Sequence, residues 1–197
     1  MTRRAAARDD RGQVVLLSAA MMAILLFAAF AFFAVAQAST VRNGGQSAAD
    51  AAALAAAQED RDELLEGFLE ALGDGEAWRD WLDGIPARTG DGCGAAERFA
   101  GRNRSDVLSC DRITRGGDSG YTVRVRTRFD TGRTLVPGTD NKKAEATATA
   151  VVQPRCRAEQ DSDIIELTCD GDDVTIDPDD EDLALEPADL FDVVLAD

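Results

Sequence analysis

The chain has 197 residues and a net charge of −16, from 37 acids against 21 basic residues, and it contains no histidine. That absence excludes Ser-His-Asp and Cys-His catalysis and His-ligated metals. The charge excess is confined: residues 158–197 carry 16 acids and no base, and the other 21 acids balance all 21 basic residues. A tail of that sign repels nucleic acid and anionic lipid headgroups, so both are set aside as partners.

Residues 1–13 form a polar, Arg-rich stub, read as cytoplasmic. Val14–Ala36 follows without one charge. As an α-helix it reaches roughly 34 Å, enough for the ~30 Å core of a bilayer, and it satisfies its own backbone hydrogen bonds there. A cleaved signal peptide is the competing reading, since Ala34-Val35-Ala36 and Ala36-Gln37-Ala38 fit small-x-small sites. The run exceeds the usual ~7–15 residues of such a segment, which favours a retained transmembrane helix. A soluble core helix is disfavoured because the run is apolar all round. Arg3, Arg4, Arg8 and Arg11 precede the run, and only Arg42 follows within twenty residues. The expected localisation is a single-pass cell-membrane protein with a cytoplasmic N-terminus and an extracytoplasmic main domain.

Arg42-Asn43-Gly44-Gly45 reads as a break or kink. Ser47-Ala48-Ala49-Asp50 then reads as a capping box that opens an Ala-rich helix over 51–72, stopped by Gly73. Residues 37–73 are assigned to this extracytoplasmic unit. Its first part, AADAAALAAA, is nearly all small, and its second part places Leu65, Phe68, Leu69 and Leu72 on one face. Ala48, Ala49, Asp50, Ala52, Ala53 and Ala56 are the candidate helix-packing residues, since small side chains let backbones approach closely. A solvated Ala-rich stalk is the plainer alternative. Self-association through this helix is a possible use of it.

Residues 74–177 are expected to form a small α+β domain. A short helix over 76–83 presents Trp78, Trp81 and Leu82 to the core or to a membrane interface. Residues 84–120 are Gly- and Arg-rich, with one or two helical turns over 95–100. Tyr121–Phe129 is the clearest strand: Tyr121, Val123, Val125, Thr127 and Phe129 face one way, and Thr122, Arg124, Arg126 and Arg128 the other. Leu135–Thr139 reads as a short strand into a Pro-Gly turn. Residues 144–152 alternate with alanine on one side, leaving room for a helix over that face. Ile164–Thr168 and Val174–Ile176 read as further strands, and 178–197 as an acidic C-terminal segment with scattered apolar residues. The fold class is thus α+β: a transmembrane helix continued by an Ala-rich helix, then a small antiparallel sheet domain with disulfides and an acidic C-terminal segment.

The four cysteines, Cys93, Cys110, Cys156 and Cys169, include no C-x-x-C pair, which excludes zinc-ribbon and thioredoxin-type motifs. An even count in an exported domain points to disulfides. Three connectivities are open, and proximity in sequence favours Cys93–Cys110 with Cys156–Cys169.

Arg11-Gly12-Gln13 running straight into the apolar helix, followed by Gln46-Ser47-Ala48-Ala49-Asp50-Ala51-Ala52-Ala53-Leu54-Ala55, resembles the N-terminal region of TadG-like proteins of the Tad system, which builds Flp-type pili. The resemblance covers about residues 11–58. The later layout is similar to short forms from high-GC Gram-positive bacteria: a Trp pair, a Tyr-Val-x-Val strand, a V-P-G-T turn, an Ala/Thr strand ending in P-x-C and a closing acidic segment. The resemblance implies a single-pass structural or assembly component, minor pilin-like or anchoring. It implies the membrane, pilin or other Tad/Flp pilus components as partners, and no enzyme activity. The D-x-S-x-S metal motif of longer TadG proteins is missing here, so no metal or cofactor is implied. With Gly12 as a cut site the fifth position beyond is Leu17 and not Glu, so prepilin-type processing is not implied either.

Two further constellations bear on function. Arg124, Arg126 and Arg128 form a cationic ladder: a dock for an acidic partner, a solvated outer face, or a face neutralised by the chain's own acidic tail. The acids at 170–173 and 177–182 suit hard cations but match no calcium-loop pattern. They motivate the alternative function, a membrane-tethered module binding cations or cell-wall components through the tail.

Overall fold

The structure is a computed structural model that describes residues 11–84, 90–133, 140–158, 165–178, 180 and 183–196, with only the backbone described for 11–13. Most of the N-terminal stub, the Leu135–Thr139 turn and part of the 177–182 acidic run lie outside the described residues.

The residues form two compact units, one from 1–40 with 131–142, the other from 41–130 with 143–197. In the first, every large apolar side chain from Val14 to Val35 is 55–79% exposed. This segment is one helix, apolar enough to cross a membrane. Its hydroxyls bond to the helix's own backbone: Ser18 Oγ donates to Val14 O (2.8 Å) and Thr40 Oγ1 to Ala36 O (3.0 Å). Ser18, the one hydroxyl within Val14–Ala36, is thereby paired without water, as hydrocarbon requires.

The helix α1 is unbroken from Arg11 to Ala71, 61 residues. The break expected at Gly44-Gly45 is absent, and so is the capping box at Ser47. The glycines serve packing. A Cβ on Gly44 would lie 2.7 Å from the Phe129 ring, and one on Gly45 would lie 3.1 Å from Ala144 Cβ and 3.4 Å from Thr127 Cγ2. Without side chains they let the sheet close onto the helix backbone.

In the second unit, α2 (Trp78–Leu82) and α3 (Gly92–Arg102) precede β1 (Ser105–Arg115), β2 (Asp118–Thr127) and β3 (Glu145–Pro154). Then come β4 (Cys156–Ala158), β5 (Ile165–Cys169), β6 (Asp172–Ile176), α4 (Pro187–Leu190) and β7 (Phe191–Leu195). One antiparallel sheet has the order β1-β2-β3-β7 and a second has β4-β5-β6. The first sheet follows the alternation of its sequence: Tyr121, Val123 and Val125 are buried and pair across to Ala150, Ala148 and Ala146. One strand supplies bulk, its neighbour supplies room.

Contacts fix the direction of α1 across that sheet. Gly44 meets Phe129 beyond the end of β2, and Asp60 meets Tyr121 near its start. Sixteen helical residues rise about 24 Å, and eight strand residues about 26 Å, so helix and strand run antiparallel with matched length. Ala52, Ala53, Ala55, Ala56 and Ala57 are all buried. At about 100° per residue they cover an arc of roughly 200°, twice the stripe of an ordinary surface helix, so the unit encloses α1 from more than one side.

Farther along, the apolar face is Leu64, Leu65, Phe68 and Ala71, with Leu69 36% exposed. This shifts the expected stripe by about one position, because Leu64 is the inward residue. Trp78 packs edge-on to Phe68 at 6.0 Å, and the Trp81 indole lies against Gly67. Both tryptophans therefore serve the core, as one of the two sequence readings had it. The last residues, given no element by sequence, supply α4 and β7. Leu190 and Phe191 are buried there, and β7 extends the first sheet beside β3.

Candidate functional site

The candidate site is the Ala-rich segment of α1 with the surfaces that enclose it. Ala48, Ala49, Ala52, Ala53 and Ala56 have no exposed surface. They share one core with Tyr121, Val123, Val125, Ala148 and Ala150, so the chain's own domain is what they pack against. Asp50 is different: it is half-buried in mid-helix, and Gln46 Nε2 donates to its Oδ1 at 2.7 Å. It lies far from either end of α1, so the capping-box role read for it does not apply.

Asp60, which sequence reasoning did not single out, is the polar centre of this interface. Its side chain is fully buried. Arg112 of β1 donates to both carboxylate oxygens, at 2.8 and 3.1 Å, and Tyr121 of β2 donates from its hydroxyl at 2.9 Å. Arg112 also donates to Tyr121 Oη and to the Gly90 carbonyl (3.3 Å), and its guanidinium lies 4.9 Å from the Tyr121 ring centroid. One helix and two strands are thus pinned through a single carboxylate. Burial raises the Asp60 pKa above its ordinary value; the Tyr121 hydrogen bond and the Arg112 charge oppose this, and the Glu63 charge adds to it. Burial also raises the Tyr121 pKa, reinforced by the Asp60 charge. The sequence signal was faint: an acid on the alanine side of an otherwise apolar arc.

Gly92 abuts Tyr121, and Gly90 abuts the Asp60 and Glu63 carboxylates. Just beyond, Asp91 caps α3 by accepting from Gly94 N at 3.0 Å. Cys93 is bonded to Cys110, tying α3 to β1, and Cys156 to Cys169, a directly opposed pair on β4 and β5. Both pairings match the expectation from sequence proximity. Arg98 bridges back to Glu59 of α1 at 3.3 Å.

Each arginine of the cationic ladder is paired, and the acids that pair with it among the described residues lie on neighbouring strands and not in the acidic tail. Arg124 and Arg126 both bind Glu145, and Arg128 binds Asp106. These hydrogen bonds hold the Glu145 carboxyl below its ordinary range. In the acidic run, Asp170 and Gly171 form the positive-φ turn between β5 and β6, and Asp170 accepts from Arg155 at 2.7 Å. Among the described residues no cluster of three His, Cys, Asp or Glu side chains is placed to hold a metal. The arrangement is a packing site, with a buried ion pair at its centre.

Residues 12–59 match the family model for putative Flp pilus-assembly TadE/G-like proteins. The match spans the apolar segment and the alanine segment together, in line with the TadG-like resemblance read from the motifs. No curated protein and no solved structure gives a significant match to the chain.

Proposed function

We propose that this chain is a non-enzymatic, single-pass component of a Tad/Flp-type pilus assembly system. In this reading its N-terminus is cytoplasmic and its disulfide-bonded domain is outside, where it serves as an anchoring or minor pilin-like subunit. The observation that carries the reading is the TadE/G-like match over 12–59, which joins a membrane-length helix to the segment packed inside the domain. Two disulfides agree with a domain that matures in an oxidising compartment.

The domain's own enclosure of the alanine segment shapes the proposal. Partners among pilin or other Tad components would meet the exposed apolar helix within the bilayer, or the outer surface of the domain. The buried alanines are already occupied.

The test is deletion of the gene in its host, with Flp-type filaments counted at the cell surface and restored by the wild-type chain. A C-terminal reporter fused to the restoring chain reads topology. Unchanged filament numbers would refute the assembly role. A reporter active only in the cytoplasm would refute the orientation.

A further inference from the structure

We propose that the end of the domain where the chain enters it is a docking surface for anionic phospholipid headgroups. The inference rests on the membrane-anchored reading above and adds a second, electrostatic contact to it.

Four segments meet at Gly44-Gly45. Phe129 lies on Gly44, and the Arg104 guanidinium lies over the Phe129 ring at 4.7 Å. The Arg128 amide bonds to the Arg104 carbonyl, and Ala144, next to Lys143, touches Gly45. Residues 42–45, 102–106, 126–130 and 143–145 together hold six cations: Arg42, Arg102, Arg104, Arg126, Arg128 and Lys143. They hold three acids, Asp106, Asp130 and Glu145, of which two are bridged by arginines of the same end. This end is therefore +3 in a chain of −16. Arg42, Arg104 and Lys143 are exposed.

Chain length alone bounds how far the start of this end can lie from the end of the apolar run. The apolar run ends at Ala36 and the domain begins at Val41. Five residues span at most about 18 Å even when fully extended, so Val41 and the adjoining Arg42 are held within about two screening lengths of the end of the apolar run. Cations kept so close to an anionic surface are attracted to it, while the acidic residues 158–197 are repelled. The expectation that sets anionic headgroups aside rests on that tail alone and leaves this basic end out of account.

The test uses the full chain in lipid nanodiscs, of phosphatidylcholine alone or with added phosphatidylglycerol, followed by amide hydrogen exchange. Exchange at 102–106 and 127–130 is expected to slow by roughly threefold or more in the anionic discs, and high salt should abolish the difference. A triple variant, Arg42→Glu, Arg104→Glu and Lys143→Glu, should show no dependence on lipid. Amides at 121–125 report whether that variant is folded; if it is not, the parent's lipid and salt dependence still decides. Equal exchange of the inserted parent in both discs, or a difference that persists in the folded triple variant, would overturn this inference and leave the anchor intact. Failure of the chain to enter discs would overturn both.

Discussion

Arg112→Met tests whether Asp60 is the polar centre that holds α1 to the sheet. The substitution keeps much of the side chain's apolar length and removes four donated hydrogen bonds: two to Asp60, one to Gly90 O and one to Tyr121 Oη. Asp60 would keep the Tyr121 hydroxyl at 2.9 Å while still buried. Removing one partner of a buried pair costs about 3–5 kcal/mol, and each kcal/mol moves the midpoint by about 2–4 °C at this size, so a drop of roughly 6–20 °C is expected. Thermal melts of the detergent-solubilised chain, followed by near-ultraviolet circular dichroism, measure it. Asp60→Asn supplies the pH test. In the unfolded chain Asp60 ionises near its ordinary 3.8, whereas burial raises its value in the fold. Across that window the unfolded state has released a proton that the folded state retains, so the Asp60 contribution to stability falls as pH rises from about 4 through the folded value. Asparagine does not titrate, so the variant should gain on the parent as pH rises. A variant that instead loses ground would show that Arg112 and Tyr121 outweigh burial, and would refute the reasoning.

Ala52→Leu and Ala56→Leu each force three carbons into closed space and should each cost about 1–3 kcal/mol, with little change in helix propensity. Gln58→Leu on the exposed side is the control, expected within about 0.5 kcal/mol of the parent. Gly67→Ala should destabilise despite gaining ~1 kcal/mol of helix propensity, because the new methyl meets the Trp81 ring; a shift in tryptophan emission reports the displaced indole. Loss of Cys156–Cys169 should cost about 3 kcal/mol by its short loop, and non-reducing peptide mapping should recover this pair and Cys93–Cys110.

Legibility varied with how each element earns its burial. Regular alternation exposed β2 and β3, because one face of each meets the helix and the other is more exposed, save at Val151 of β3, which is buried. β1 was not read at all. It is an edge strand rich in Ser, Asp, Thr and Arg, with a register shift between Val107 and Ser109 that interrupts the two-residue period. α3 proved longer than the one or two turns expected over 95–100, since its inward residues are alanines and its start is fixed by Asp91. β7 escaped because its partner, β3, lies some forty residues earlier, and the acids around it suggest a solvated segment.

The central misreading concerned Gly44-Gly45, and it shows where local rules end. Taken alone, two adjacent glycines cost a helix about 2 kcal/mol of propensity, reason enough to expect a break. The helix continues because tertiary contact offsets that cost. Gly44 admits the Phe129 ring, and Gly45 admits Ala144 and Thr127. The alanines that follow, Ala48 to Ala57, extend the same close approach along β2 and β3 for nearly three more turns. Small residues on this helix therefore mark where another element closes onto its backbone, and the same feature is consistent with two outcomes in sequence: a seam between chains or a seam within one. Here the intrachain seam is closed by a residue type that a lipid-embedded seam would exclude. Asp60 lies on the alanine side of α1, and its charge is matched by Arg112 from the sheet. An unpaired carboxylate on a helix face meant for a neighbouring apolar helix would be strongly unfavourable. Beside a strand that carries its arginine, it fixes the register of helix on sheet.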